Sequence, residues 1–178
     1  MYKDIILQNT TGERFYTEAP NKLWDKLDMS QPVMEDCSFE RETNQIFVDR
    51  AFGDVLIGGL GIGLIIKAIE QKPEVTSITI IEKYEEVIDL ILSQVPFSEK
   101  VIVIQGDVFT YTPTQQYDTI WLDVWTTGKE SMELGETAHH DNWKERMTQY
   151  LKVGGYIEFW TADDESYQNY LKQYAVTS

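Results

Sequence analysis

The sequence predicts an α/β fold built around one doubly wound, mostly parallel sheet, and two observations carry this prediction. From Gly53 onward, apolar runs of four to six residues alternate with longer stretches that have apolar residues at helical spacing. The apolar runs barely alternate with polar residues, which is typical of strands that are covered by helices on both faces. Together these patterns indicate a Rossmann-like domain with the strand order 3-2-1-4-5.

The first 52 residues predict a β-hairpin extension that precedes a main domain spanning residues 53–178. Ile5–Leu7 leads through the turn signal NTTG into ERFY, which predicts one hairpin. The segments CSFERE and QIFVDR, separated by Thr43 and Asn44, predict a second hairpin. Between the two hairpins, Asn21–Leu27 is expected to add a helical turn.

The main domain is expected to contain strands and helices in alternation. After Trp160 the sequence has room for one helix before Ser178, so a short C-terminal part is expected. The edge of the fifth strand is therefore expected to be covered by the N-terminal hairpins or by a second copy of the chain. The strands are placed at Val55–Gly58, Ser77–Glu82, Val101–Gln105, Thr119–Asp123 and Tyr156–Trp160, and the helices at Gly63–Gln71, Glu85–Gln94, Asn142–Lys152 and Asp164–Tyr174.

The segment DVLIGGLGIG, Asp54–Gly63, has a cluster of glycines directly after the first strand. Glycine adopts positive φ values and lets a ligand approach the main chain without a Cβ in the way. A strand that ends at Gly58, followed by Gly59, Gly61 and Gly63 and then by an apolar helix, is typical of a nucleoside site at the carboxyl edge of a parallel sheet. Tight packing between strand and helix is the alternative explanation.

Three acidic residues follow the next three strands. Glu82 lies 19 residues beyond the last glycine, where an acid accepts hydrogen bonds from ribose hydroxyls. Asp107 follows the third strand and is placed to accept a hydrogen bond from the exocyclic amine of an adenine. Asp123 ends the fourth strand, near the expected position of a ligand's reactive part. The alternatives are an exposed helix cap for Glu82, a turn for Asp107 and a structural acid for Asp123.

These residues lead to a resemblance. The series DVLIGGLGIG, ITIIEKYEEVI, VIVIQGDVF, YDTIWLDVW and YLKVGGYIEF resembles the motif succession of class I S-adenosylmethionine-dependent methyltransferases, and VLIGGLGIG is particularly similar to the spermidine-synthase-like branch. The resemblance covers about Gly53–Trp160 and implies an enzyme that binds S-adenosylmethionine and transfers its methyl group to a small molecule. The cofactor-binding residues that the resemblance implies are Gly58, Gly59, Leu60, Gly61, Gly63, Glu82, Lys83, Asp107, Val108 and Asp123.

Three other functions stay open at this point. The first is a spermidine-synthase-like aminopropyltransferase, and the second is a nucleoside-binding protein without turnover. The third is a nicotinamide-dependent oxidoreductase, which the glycine spacing disfavours. Aminopropyltransferases usually have an aspartate between the last two loop glycines and another three residues after the strand-four aspartate, whereas this chain has Ile62 and Thr126. Because both carboxylates are missing, methyl transfer is the preferred prediction.

Methyl transfer from a sulfonium depends mainly on positioning, so it does not require a dedicated catalytic residue. Asp123 is the first candidate for a general base toward an amine or hydroxyl acceptor. Trp125, just beyond the fourth strand, is predicted to line the acceptor pocket, where an aromatic face holds a flat or cationic group.

No metal site is predicted. His139 and His140 are interpreted as loop residues before a helix that Asp141 or Asn142 caps, because neighbouring positions rarely aim at one point. An oxygen-ligand site for a divalent cation, formed by Asp163 and Asp164 with the strand-four aspartate, is the less favoured alternative.

The charge pattern limits the partners. A formal net charge of -15 repels nucleic acid and anionic membranes. Three explanations of the acidic charge stay open. The chain binds a cationic acceptor such as an amine, it binds a basic protein, or the acidic surface only keeps the chain soluble. Cys37 is the only cysteine, so an intrachain disulfide is excluded and a buried thiol is expected. The sequence has neither a bilayer-spanning apolar run nor a secretory signal, which predicts a cytoplasmic protein.

Overall fold

The computed structural model describes residues 2, 5–19, 21–27, 29, 31–124, 136–160, 169 and 172, with the side chains of 136–140 left out. The N-terminal part forms an antiparallel sheet whose strands pair in chain order. Its first two strands form a hairpin in the predicted region, but the first strand lies at residues 10–11, inside NTTG, and not at 5–7, so the predicted turn is wrong. The strands are β1 (Thr10–Thr11), β2 (Phe15–Glu18), β3 (Lys22–Asp25) and β4 (Met34–Glu35).

The second predicted hairpin is wrong, because CSFERE and QIFVDR are both helical. They form α1 (Ser38–Thr43) and α2 (Gln45–Arg50), which meet at Asn44. The buried side-chain amide of Asn44 donates a hydrogen bond to the carbonyl of Glu40 at 3.1 Å. Glu, Gln and Arg favour helices, and the helical backbone brings Phe47 into the core. Both effects outweigh the short apolar alternation that predicted strands.

The predicted helical turn at Asn21–Leu27 is also wrong, because most of this segment belongs to β3. Alternate side chains of the strand, Leu23 and Asp25, are buried. The guanidinium Nε of Arg14 donates hydrogen bonds to both carboxylate oxygens of Asp25 at 3.0 Å. The alternation and this ion pair both favour extended backbone.

The second sheet has five parallel strands in the order β7-β6-β5-β8-β9. This confirms the predicted order 3-2-1-4-5 and the Rossmann-like fold. Central strand β5 pairs in parallel with β6 and β8, so that Ile57 lies between Ile80 and Trp121. The strands are β5 (Gly53–Gly58), β6 (Val75–Glu82), β7 (Val101–Gln105), β8 (Tyr117–Leu122) and β9 (Leu151–Phe159).

The helices of this part are α3 (Leu64–Ile69), α4 (Glu85–Leu92) and α5 (Glu136–Thr148). Helix α5 begins before the predicted Asn142, so the prediction that Asp141 or Asn142 caps it is wrong. The predicted helix Asp164–Tyr174 lies outside the described residues, apart from isolated positions.

The fifth strand begins at Leu151, earlier than the predicted Tyr156. The pair Gly154 and Gly155 interrupts the apolar pattern, and Leu151 and Lys152 were assigned to the preceding helix. In the structure the strand continues through the pair with a register shift, and Gly154 has a φ of 82°.

Each face of the parallel sheet has its own hydrophobic core. One core joins Ile57, Ile80 and Trp121 to the N-terminal segment, including Phe15 and Phe47. The other core packs the opposite face of the sheet on Trp143 and Met147 of α5. Within the described ranges, none of the helices combines the length and apolar composition needed to cross a bilayer.

Candidate active site

A cavity of about 600 Å³ lies between the carboxyl ends of the parallel strands and the N-terminal segment. Carboxyl strand ends share one edge of a parallel sheet, and ligands bind there in α/β folds. Gly58, Leu60 and Gly63 lie behind the cavity wall, and Trp125 falls outside the described residues. The predicted residues that the structure brings together around the cavity are Gly59, Gly61, Glu82, Lys83, Asp107, Val108 and Asp123.

The loop after β5 presents bare backbone to the cavity. Gly59 has a φ of 97°, and an added Cβ would meet the carbonyl oxygen of Asp123. Gly61 has a φ of 51°, and a Cβ there would meet the sulfur of Met34. Both positions therefore require glycine for conformation and for space.

The other two glycines have a packing role, which was the alternative explanation for the cluster. A Cβ on Gly58 would lie 2.7 Å from side-chain atoms of Leu122 and Val108. Gly63 precedes α3 with a φ of 82°, and a Cβ there would lie 2.6 Å from the ring of Phe97. These positions bring strand, loop and helix close together and do not line the cavity.

Glu82 is buried at the end of β6, with 7% of its surface exposed, and is not an exposed helix cap. Its Oε2 accepts a hydrogen bond from the backbone N–H of Leu60 at 3.0 Å, and its Oε1 accepts one from Tyr84 at 2.9 Å. Burial raises the pKa of Glu82, and the backbone hydrogen bonds act in the opposite direction. Each carboxylate oxygen has a second lone pair available for a ligand hydroxyl.

Asp107 makes the turn contact that was the alternative explanation, and it also lines the cavity. Its Oδ1 accepts a hydrogen bond from the N–H of Phe109 at 3.0 Å, which is a turn contact. Its Oδ2 lies 3.1 Å from the ammonium of Lys83, and both side chains line the cavity. This ion pair raises the pKa of Lys83.

Asp123 follows β8 and lies at the junction of loop and strand. Its N–H donates to the carbonyl of Gly58 at 2.8 Å, which fixes its backbone beside the glycine loop. Burial raises the pKa of Asp123 to about 7. A carboxyl group with such a pKa changes protonation close to neutral pH, as a general base requires.

The N-terminal segment supplies cavity residues that the sequence analysis missed. Phe39 and Glu40 come from α1, and Met34 from β4. Burial raises the pKa of Glu40 well above its ordinary value, and the negative charges of Asp123 and Glu35 add to this rise. The helix-favouring residues of CSFERE were the one signal that pointed to α1, and nothing in the sequence indicated its position beside β8.

Two further predictions concern metals and thiols. Among the described residues, no group of three or more His, Cys, Asp or Glu is arranged to hold a metal ion. Asp163 and Asp164 lie outside the described residues, as do the side chains of His139 and His140. Cys37 is half-buried, and burial raises the pKa of its thiol to about 12.

No protein-family model and no curated protein matches this chain. Solved structures do match. The N-methyltransferase NodS from Bradyrhizobium japonicum WM9 is 17% identical, with 82% of this chain and 79% of NodS covered at a TM-score of 0.56. The fold is shared with these methyltransferases. The same protein in complex with S-adenosyl-L-homocysteine gives 18% identity, covers 76% of this chain and 68% of that chain, and also has a TM-score of 0.56.

The plantazolicin methyltransferase BpumL, solved with a pentazolic desmethylPZN analog and S-adenosylhomocysteine, is 20% identical at a TM-score of 0.56. That match covers 80% of this chain but only 54% of BpumL. The chain thus spans about half the length of several solved proteins that it matches, including the first of them at 52%. At these identities the comparison establishes the fold, and activity is a matter for proposal.

Proposed function

We propose that this chain binds S-adenosylmethionine and transfers its methyl group to a small-molecule acceptor. The observation that carries the proposal is the convergence of the glycine loop with Glu82, Asp107 and Asp123 around one cavity. These residues come from four different strand ends, so their convergence follows from the fold. The shared methyltransferase fold supports the same conclusion.

The residues present fit this cofactor. Gly59 and Gly61 line the cavity with main chain, and only glycine fits there, since a side chain at either position would collide with Asp123 or Met34. Glu82 would hold the ribose hydroxyls with its unused lone pairs, and Asp107 with Val108 would meet the adenine. The cofactor supplies a methyl carbon on a positively charged sulfur, which an acceptor lone pair attacks while the sulfur keeps the electrons of the broken bond.

Asp123 is the proposed general base. Its position at the end of β8 places it beside the loop that would hold the reactive end of the cofactor. Its raised pKa lets it accept a proton from the acceptor close to neutral pH.

The spermidine-synthase-like branch remains part of the proposal. The loop form VLIGGLGIG and the antiparallel N-terminal sheet support it. Aminopropyl transfer is disfavoured, because Ile62 and Thr126 replace the two aspartates expected for that activity. The proposed acceptor is a small molecule, and the proposed location is the cytoplasm.

Binding of a ligand to the folded state raises its thermal stability, which gives a direct test. Thermal shift and calorimetry would compare S-adenosylmethionine, its decarboxylated form, S-adenosylhomocysteine and NAD. The proposal expects binding of S-adenosylmethionine and S-adenosylhomocysteine, with weaker binding of the decarboxylated form and none of NAD. Preference for the decarboxylated form would favour aminopropyl transfer, and preference for NAD would overturn the cofactor assignment.

A further inference from the structure

We infer that the acceptor is a protonated amine, held by the carboxyl groups of Glu40 and Asp123 with its apolar part against Phe39 and Trp160. The inference rests on the proposed function and adds the class of acceptor to it. These four residues, which we call the acceptor end of the cavity, come from α1 and from the ends of β8 and β9.

The charge balance of the cavity wall supports a cationic ligand. Both cationic side chains of the wall have acidic partners, Arg14 with Asp25 and Lys83 with Asp107. Glu82 accepts two backbone hydrogen bonds. The two remaining acids that line the cavity, Glu40 and Asp123, differ from these.

Within the described part of the chain, the carboxyl groups of Glu40 and Asp123 have neither a hydrogen bond nor an ion pair. A partly buried carboxylate without a partner is costly, so this pair is complementary to a cation that brings several N–H donors. Electrostatic coupling between the two acids also shows in the raised pKa of Glu40, to which burial contributes most and the charge of Asp123 adds.

Contacts between side chains connect α1, which carries Glu40, to the end of β9. The indole N–H of Trp160 donates to the hydroxyl of Thr43 at 2.9 Å and so ties the end of β9 to α1. The rings of Phe39 and Trp160 meet edge to face at 6.1 Å. An aromatic face beside paired acids suits an amine with an apolar substituent, because rings attract cations as well as apolar groups.

The same arrangement handles the proton that an amine must lose before it attacks. The ammonium N–H bond breaks, its proton forms an O–H bond on the Asp123 carboxylate, and the lone pair stays on nitrogen. Glu40 is a positioning and specificity residue in this scheme, since its carboxyl group adds a second oxygen acceptor for the N–H groups of the amine.

The cofactor's own ammonium group is the competing occupant of these acids, and the test separates the two. Calorimetry at about pH 8, above the pKa of Asp123, would first measure S-adenosylhomocysteine on the wild type, Glu40→Gln and Glu42→Gln. Glu42 is the matched control, because it is an exposed acid of the same helix and lies outside the cavity wall. The protein saturated with S-adenosylhomocysteine would then be titrated with benzylamine, benzyl alcohol and benzoate.

The inference expects benzylamine to bind the wild type and Glu42→Gln at least tenfold more tightly than benzyl alcohol, with benzoate weakest. Glu40→Gln should lose this preference and keep its affinity for S-adenosylhomocysteine, which also shows that it is folded. Equal affinity for the three ligands, or no binding of any of them, would overturn this inference and leave the proposed function unaffected. A loss of S-adenosylhomocysteine affinity in Glu40→Gln assigns the acid to the cofactor and also overturns it. No binding of S-adenosylhomocysteine to the wild type instead removes the proposed function.

Discussion

The two ends of the cavity differ in how their acids are compensated. At the nucleoside end, formed by Glu82, Lys83, Asp107 and Val108, every acid has a partner within the described residues. At the acceptor end the carboxyl groups of Glu40 and Asp123 have none there, and burial raises the pKa of both. The nucleoside end is therefore preorganised by the protein itself, whereas under the proposed function the acceptor end would be completed by its ligand.

This difference corresponds to two tasks. A site that holds the same cofactor in every cycle gains from side chains that are already fixed by hydrogen bonds. A site that must bind a charged acceptor and accept its proton needs a carboxyl group that ionises near neutral pH. The following predictions test the difference, beginning with the largest expected effect.

Asp123→Asn tests whether the buried carboxylate of Asp123, at the acceptor end, lacks a partner that stabilises its charge. The pKa of Asp123 is about 7 in the folded protein against an ordinary 3.8, so the folded chain binds more protons between these values. The free energy of unfolding of the wild type should therefore fall as the pH rises through this interval, by up to about 4 kcal/mol from this group. The variant lacks this loss and should be the more stable protein at about pH 8, as urea denaturation at several pH values would measure.

Asp54→Asn is the control with the opposite sign. A hydrogen bond from Lys152 at 2.8 Å and another from Ser77 lower the pKa of Asp54. Asp54 lies near the amino end of the central strand β5, away from the cavity. Its stabilisation is present at neutral pH and is lost as the pH falls through its folded pKa. The free energies of unfolding of the wild type and Asp123→Asn should differ by an amount that changes with pH. If this difference is constant with pH, or if it follows the pattern of Asp54→Asn, the contrast between the two ends of the cavity is wrong.

Gly59→Ala tests the loop that separates the two ends. The left-handed φ and the contact of a new Cβ with the carbonyl oxygen of Asp123 should together lower the free energy of unfolding by about 3 kcal/mol or more. Gly154→Ala is the matched control, because Gly154 also has a positive φ but no atom lies within 4 Å of its added Cβ. The control should lose about 1 kcal/mol. Equal losses in chemical denaturation would show that the contact at Gly59 is unimportant.

Glu82→Gln tests the preorganisation of the nucleoside end. Both carboxylate oxygens accept backbone N–H groups, so a glutamine must turn its own NH₂ toward either Leu60 or Tyr84. Affinity for S-adenosylhomocysteine should fall by roughly 1–3 kcal/mol, because charge-assisted hydrogen bonds are lost. Glu85→Gln, a change at an exposed neighbour on α4, should leave the calorimetric affinity unchanged. Unchanged affinity in Glu82→Gln would remove this residue from the site.

The nucleoside end was largely predictable from the sequence, and the reason is geometric. In a parallel sheet every strand delivers its last residue to the same edge, so acids at successive strand ends converge whatever the details of packing. Glu82, Asp107 and Asp123 were found in this way, and the glycine spacing placed the loop among them. Right-handed connections limited the possible strand orders, and the expected order 3-2-1-4-5 is one that they allow.

The acceptor end was not predictable to the same degree. Phe39 and Glu40 belong to a six-residue helix, too short to show a clear period, and the segment read as a strand. Their position depends on tertiary contacts such as the hydrogen bond between Trp160 and Thr43, which link residues 117 positions apart. Strand β9 was predicted too short, because its first two residues were assigned to the preceding helix and the glycine pair after them interrupts the apolar pattern.

Lys83→Gln has the smallest expected effect and sharpens the description of the nucleoside end. The Lys83 side chain is 59% exposed and its Asp107 partner 34%, and such solvent-exposed ion pairs contribute about 0–1 kcal/mol. Asp107 also keeps its hydrogen bond from Phe109 in the variant. Both the free energy of unfolding and the affinity for S-adenosylhomocysteine should therefore change by less than about 0.5 kcal/mol. A loss as large as that of Glu82→Gln would mean that Lys83 contacts the ligand directly, and part of the nucleoside end would then be completed by its ligand as well.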